Sequence, residues 1–275
     1  MKTGGPDFVQ RYGPWAVVTG ASDGIGHAFA VELARLGLNL VLVARRAELL
    51  HALSGRLRTE HGVDCRVAAI DLSDLEATHQ LAQSTRDLDV GLLVAAAGFG
   101  SSGPLIESGL GDQTEMVDLN CRAVLAQCWH YGQRLARRRR GGVVLMSSLL
   151  AFHGTPLSAN YAATKAYVQS LAEGLRSEWS AHGVDVIASA PGPINSGFAK
   201  RADMRMAQAL PPGVVARQTL SALGRRGTIR PGWLSKLLGW SLATAPRAMR
   251  VVIMGRIMGG MTAHQRPPGA RGFDA

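Results

Sequence analysis

Tyr161 and Lys165 stand four residues apart in Tyr161-Ala-Ala-Thr-Lys165, and Ser148 lies thirteen residues before the tyrosine. On a helix, a four-residue step places two side chains on one face. An ammonium beside a phenol favours the phenolate. That lowers the tyrosine's pKa from about 10 towards the working pH and makes it a usable proton donor or acceptor. The preceding run, Gly142-Val-Val-Leu-Met-Ser-Ser148, reads as a buried strand whose end presents a hydroxyl. A hydroxyl, a phenol and a cation that converge would hold and protonate a carbonyl oxygen. Alone, the Tyr-to-Lys spacing recurs by chance in many helices, so its weight depends on a second motif.

That motif is Thr19-Gly20-Ala-Ser22-Asp23-Gly24-Ile25-Gly26, between the apolar run Trp15–Val18 and the helical pattern His27–Leu36. Strand, glycine turn, helix is the setting in which glycines mean phosphate binding. They let the backbone approach a pyrophosphate, and the helix start offers free N–H groups and a positive dipole end. A turn that merely needs glycines is the plainer alternative.

These residues require a scaffold that brings strand ends together. Apolar strand-like runs fall near 15–19, 39–43, 65–70, 91–95, 142–147 and 184–190, and helical patterns near 25–36, 47–60, 75–86, 113–138 and 159–182. Such alternation predicts an α/β doubly wound parallel sheet with helices on both faces. Ligands in such folds sit at the carboxyl ends of strands, where Gly20, Ser148 and Pro191 all fall.

The chain has 275 residues, 47% of them hydrophobic, enough for one sizeable core. Cys65, Cys121 and Cys128 are odd in number and widely spaced, which argues against a disulfide framework or a zinc site and for a reducing, cytoplasmic setting. The eight histidines form no ligand pattern, so no metal is expected. Met1–Asp7 lacks the apolar core of a signal peptide. The net charge of +10 favours anionic partners, and one source is Arg137-Arg-Arg-Arg140 at the end of the 113–138 helix. A solvated helix end is preferred there to a nucleic-acid patch, since aromatic residues are only 5% and no binding motif accompanies it. The uncharged stretch between Arg140 and Lys165 holds Gly, Ser, Pro and Asn, which argue against a membrane span.

Taken together, the motifs resemble the short-chain dehydrogenase/reductase family, from about residue 14 to residue 196. The resemblance implies a Rossmann-type sheet of about seven strands and a nicotinamide cofactor. It places the adenine-side acid at Asp71, followed by Leu72, and the catalytic set at Asn120, Ser148, Tyr161 and Lys165. It implies further cofactor contacts from Gly20, Ser22, Asp23, Gly24, Ile25, Gly26, Ala97 and Gly98, from Asn120, Tyr161 and Lys165 of the catalytic set, and from Pro191, Gly192, Ile194 and Ser196 in the Pro-Gly motif. Asn120 is expected to anchor a water, and Ser148 rather than Ser147 to meet the substrate, because neighbouring strand residues point oppositely. Ala95-Ala96-Ala97-Gly98 departs from the family's Asn-Asn-Ala-Gly, which removes hydrogen bonds that brace the central sheet.

The second strand ends in Ala44-Arg45-Arg46 rather than in an acid that would accept the ribose hydroxyls of NAD. Paired arginines suit a 2′-phosphate, so NADP(H) is expected, with Arg45 as its main contact by resemblance. The activity implied is hydride transfer between NADP(H) and a hydrophobic ketone or secondary alcohol, with Phe99, Leu150, His153 and Phe198 facing the substrate. Steroid-like ketones, 3-oxoacyl thioesters and lipid intermediates stay open, with a slight lean towards the hydroxysteroid-dehydrogenase-like branch. A catalytically silent NADP(H)-binding regulator is the alternative from another class. A homodimer or homotetramer is implied through the helices carrying Asn120 and Tyr161.

Residues 1–262 are read as one domain. Within it, 197–226 reads as a mobile lid and Gly227–Gly232 as a seventh strand. Two amphipathic segments follow, Trp233–Trp240 and Met249–Met258. Helices packed over the cleft or against a partner subunit are the preferred reading, with a peripheral membrane surface as the alternative. Residues 263–275 read as a disordered tail.

Overall fold

Each central strand is a nearly unbroken apolar run because both of its faces are covered. A computed structural model of the chain describes residues 6–74, 76–205, 209–233, 235–236 and 244–265. It has seven parallel strands: β1 (Trp15–Thr19), β2 (Asn39–Ala44), β3 (Cys65–Ala69), β4 (Val90–Ala95), β5 (Gly141–Met146), β6 (Val184–Ser189) and β7 (Thr228–Ile229). Their order in the sheet is β3-β2-β1-β4-β5-β6-β7. The order reverses between β1 and β4, and such a reversal opens a crevice at the carboxyl ends of the strands. The Rossmann-type fold expected from the sequence is the fold observed.

Alternate residues feed two cores. Val18, Leu42, Val94, Val144 and Ile187 pack with helices α2 (Gly24–Arg35) and α3 (Ala47–His61). Val17, Val43, Leu93, Leu145 and Val186 pack on the other face, against three further helices. These are α4 (Ala77–Ser84), α6 (Ala123–Arg138) and α7 (Ala159–Ser180). Register follows from this alternation: Val17 pairs with Val41 and Leu93, so a slip of one residue would exchange the two cores.

Four differences from the sequence reading stand out. A short helix α1 (Pro6–Tyr12), passed over in the sequence, is tied down by a 2.6 Å hydrogen bond from the Tyr12 hydroxyl to Asp185. The single helix expected over 113–138 starts earlier, as α5 (Leu110–Val117), and is broken before α6 by a π turn at Asp118–Arg122.

The lid expected over 197–226 is shorter than that. After α8 (Gly197–Arg201), α9 (Pro212–Ala222) is a core helix whose Val215, Ala216 and Leu220 pack in the same cluster as Phe29 and Leu33 of α2. Proline at its first position starts this helix, since its missing N–H and fixed φ suit that place. Finally, Ala263–Gln265, assigned to a tail, forms a 3₁₀ turn held by Gln265 Nε2 to Ser102 Oγ at 2.9 Å. The last α-helix among the described residues is α10 (Arg247–Met261). Most of the Trp233–Trp240 segment, and residues 266–275, lie outside the described residues.

Candidate active site

β1 ends at Thr19, and the chain turns through two left-handed glycines, Gly20 (φ +70°) and Gly24 (φ +58°), into α2. A side chain is excluded at both ends of this turn. A Cβ on Gly20 would lie 2.9 Å from the Ala97 nitrogen, and one on Gly26 would run into the Gly20 carbonyl. Asp23 caps the helix, its carboxylate accepting from the Gly24 N–H at 2.6 Å. The result is a bare backbone cradle against a helix N-terminus, which fits a dinucleotide pyrophosphate. Ser196 closes the cradle from the opposite wall, within 3.0 Å of where a Gly24 Cβ would be.

The bracing lost with the family asparagines is supplied in part from β1. Thr19 Oγ1 accepts from the backbone N–H groups of Ala96 (3.1 Å) and Ala97 (3.2 Å), fixing the turn after β4. Gly98 follows, where a Cβ would stand 2.8 Å from Asn120 Oδ1.

At the adenosine end the two arginines diverge. Arg45 reaches across the cleft to Asp71 (3.4 Å) and Glu115 (3.7 Å), while Arg46 donates to Ser22 of the glycine turn at 3.1 Å. Asp71 is itself fixed by the Ser73 N–H (3.0 Å) and hydroxyl (2.8 Å), and Leu72 is buried beside it.

The π turn carries Asn120 into the interior, where it is fully buried. Its Oδ1 accepts from the Phe99 N–H (3.1 Å), and its Nδ2 donates to the Phe99 carbonyl (2.8 Å) and to Thr164 Oγ1 (3.1 Å). The amide therefore clamps the loop after β4 to α7, and its donors are spent on that clamp rather than on a water.

Ser148 follows β5 and caps a 3₁₀ turn at Leu149–Phe152, its Oγ accepting from the Leu150 N–H at 3.2 Å. Ser147 points away, its hydroxyl donating to the Lys165 carbonyl at 3.2 Å. One turn apart on α7, Tyr161 and Lys165 are both buried. Lys165 Nζ donates to the Met146 carbonyl at 2.9 Å and lies 5.7 Å from the centre of the Tyr161 ring.

Burial dominates both groups. It pushes the Tyr161 phenol up to about 12, against a hydrogen bond from Ser148. It pushes the Lys165 ammonium down to about 8, against a smaller opposing influence of Cys121. The expectation that the lysine lowers the tyrosine's pKa is thus reversed in this state. Desolvation of the phenol is the largest influence on it, and the lysine cation, held on the Met146 carbonyl, is itself costly to keep charged.

A cavity of ≈ 810 Å³ runs from Arg45 to Tyr161. Every expected cofactor residue lines it except Asn120, which sits behind Phe99 and Gly98. Of the expected substrate residues, Phe99, Leu150 and Phe198 line it, and the Phe198 ring is 5.3 Å from that of Tyr161. His153 does not. The extended backbone that ends the 3₁₀ turn (φ −159°, ψ 157°) carries it out of the cavity wall, where burial lowers its pKa and favours the neutral ring. Apolar wall residues that the sequence reading missed include Met204 and, on α10, Met254, Ile257, Met258 and Met261. The last four recur at helical spacing, the one signal that pointed to a shared face. Arg201 completes the wall, its guanidinium 3.6 Å from the Phe99 ring centre and 3.3 Å from Glu115.

Comparison with known proteins agrees with this geometry. The family described as short chain dehydrogenase matches residues 14–206. A 7beta-hydroxysteroid dehydrogenase of Clostridium sardiniense is 33% identical over 84% of this chain and 90% of its own. A very-long-chain 3-oxoacyl-CoA reductase of Aspergillus terreus is 34% identical over 89% of this chain and 72% of its own. Among solved structures, one from a study of 7beta-hydroxysteroid dehydrogenase stereoselectivity superposes with a TM-score of 0.84 at 26% identity, covering 90% of this chain and 99% of that one. A short-chain dehydrogenase from Sphingobium yanoikuyae in complex with NADPH gives 0.75 at 26% identity, covering 94% and 98%. The chain belongs to the short-chain dehydrogenase family and is an oxidoreductase acting on CH–OH and C=O groups.

Proposed function

We propose that the protein is an NADP(H)-dependent reductase of bulky hydrophobic ketones, or dehydrogenase of the matching secondary alcohols, with Tyr161 as its general acid/base. The observation that carries this reading is the convergence of Ser148, Tyr161 and Lys165 on one wall of a large, mainly apolar cavity. When bound, the nicotinamide supplies or accepts the hydride. Ser148 holds the carbonyl oxygen and Tyr161 gives it a proton as charge develops. A phenol with a pKa of about 12 stays protonated at neutral pH, which suits the reducing direction. Lys165, one turn away, stabilises the phenolate left behind. The methionine wall suits a large substrate of loose shape, since thioether side chains are unbranched and adaptable. The named relatives give the two substrate arms to try first: hydroxysteroids and long-chain 3-oxoacyl thioesters.

The test is NADPH oxidation against a panel of steroid ketones, 3-oxoacyl thioesters and aryl ketones, with NADH in parallel. Turnover with one class establishes the enzyme and its substrate. Tight NADPH binding with silence on every class would overturn the reading in favour of a regulatory binder.

Cofactor choice rests on the arginines. Charge-assisted bonds to phosphate contribute about 1.5–3 kcal/mol each, or roughly tenfold or more in affinity. Arg45→Ala with Arg46→Ala is expected to raise KM for NADPH at least tenfold (about 1.4 kcal/mol per decade) and to leave that for NADH nearly unchanged. Equal losses with both cofactors would refute a 2′-phosphate site.

The rate should also depend on pH. Lys165 is cationic below about 8 and neutral above it. Reductive kcat is therefore expected to hold a plateau at low pH and fall as pH rises through that value. In Lys165→Met this limb should vanish. A flat wild-type profile to about pH 10 would contradict the role given to the cation.

We further infer a homo-oligomer built on α5, α6 and α7, whose Val117, Leu125, Trp129 and Tyr167 are exposed. Light scattering should give a multiple of the 29.1 kDa chain, and Trp129→Glu should reduce it towards one copy. A monomeric wild type would exclude the assembly.

A further inference from the structure

The positive charge of this chain is not spread over it. Residues 1–203 hold nineteen basic and nineteen acidic residues, whereas residues 204–275 hold eleven basic residues and a single acid, Asp274. The final quarter therefore carries the whole net charge of +10. Arg217 pairs with Glu32 at 2.9 Å; Arg225, Arg226, Lys236, Arg247 and Arg256 make no ion pair among the described residues. Unpaired basic residues add little to a fold.

The same quarter exposes large apolar side chains. Trp233 is 72% exposed, and on α10 Met249 and Val252 are 54% and 41% exposed. α10 thus has two working faces. Its inner face, with Met254, Ile257, Met258 and Met261, is wall of the substrate cavity. Its outer face carries Met249, Val252 and Arg256 at helical spacing, and Arg247 is exposed at the helix's first position, on another side. The Trp233 segment reaches the same cavity, since Ser235 Oγ accepts from the N–H of Gly192 at 3.0 Å.

We propose that the outer face of α10, with Trp233, docks on an anionic lipid surface, which sets this helix between that surface and the cavity it walls. Charge and shape both select this occupant. Arg256 beside exposed Met249 and Val252, with Arg247 exposed at the start of the same helix, matches a layer of anionic headgroups over acyl chains. Duplex nucleic acid would use the charge and leave Trp233, Met249 and Val252 without a role. Among the described residues no helix is long and apolar enough to cross a membrane, so the contact is peripheral. Docking stands without reference to turnover; delivery of membrane-dissolved substrate into the cavity rests on the function proposed above.

Co-sedimentation of the full chain with vesicles tests the docking. Binding to phosphatidylcholine vesicles with about one-third phosphatidylglycerol is expected to exceed binding to pure phosphatidylcholine at least fivefold, and to fall in high salt. Arg247→Glu with Arg256→Glu should remove the binding, and Met249→Ser with Val252→Ser should weaken it severalfold. Both variants should keep the wild-type melting temperature. Equal binding to the two vesicle types, or full binding by the charge-reversed variant, would overturn the proposal. A gel shift of duplex DNA without vesicle binding would assign the charge to nucleic acid and overturn it as well. If docking holds, the charge-reversed variant should lose kcat/KM severalfold on a vesicle-dissolved long-chain ketone and none on a water-soluble one. Unchanged values on both would remove delivery while leaving docking in place.

Discussion

Tyr161→Phe is expected to lower kcat at least about a hundredfold, the usual range for loss of a positioned general acid. The substitution removes one oxygen and keeps the ring, including its contact with Phe198 at 5.3 Å. Fold and cofactor affinity should therefore survive, so melting temperature and NADPH titration serve as controls. What disappears is the proton that Ser148 helps to position. A variant that binds NADPH normally and still turns over near the wild-type rate would sink the assignment.

The second large effect is expected at Gly26→Ala. A methyl there meets the Gly20 carbonyl, a backbone atom that cannot rotate aside, so the turn must open. Forced overpacking of this kind costs about 1–3 kcal/mol. In a chain of 275 residues that corresponds to a fall of roughly several degrees in melting temperature. Cofactor affinity should fall by at least about tenfold, because the turn that opens is the surface offered to the pyrophosphate. Scanning fluorimetry with and without NADPH reads both quantities. An unchanged melting point together with an unchanged Kd would show that the cradle tolerates the methyl.

What the sequence showed best was local and periodic. The glycine turn, Ser148, Tyr161 and Lys165 were legible because their spacing is set by single elements, and strand alternation sends Ser147 to the Lys165 carbonyl. The sheet was legible because parallel strands read as apolar runs. Tertiary choices were not. Nothing local distinguishes Arg45, turned to Asp71, from Arg46, turned to Ser22. His153 was misplaced because one extended residue after a 3₁₀ turn redirects the chain. α9 was missed because Pro211-Pro212-Gly213 reads as a break, although a proline equally begins a helix. The pKa of Tyr161 was reversed because spacing reports proximity to a cation and says nothing of lost water.

The π turn at Asp118–Arg122 bears on which deletions this chain tolerates. A π turn holds one residue more than the α-helix around it, and it is rare because its geometry is poorer. Removing one residue would join α5 to α6 as a regular helix and rotate Asn120 away from Phe99 and Thr164. The irregular turn thus gives up helix regularity for a cross-link from the Asn120 amide to the Phe99 backbone and Thr164.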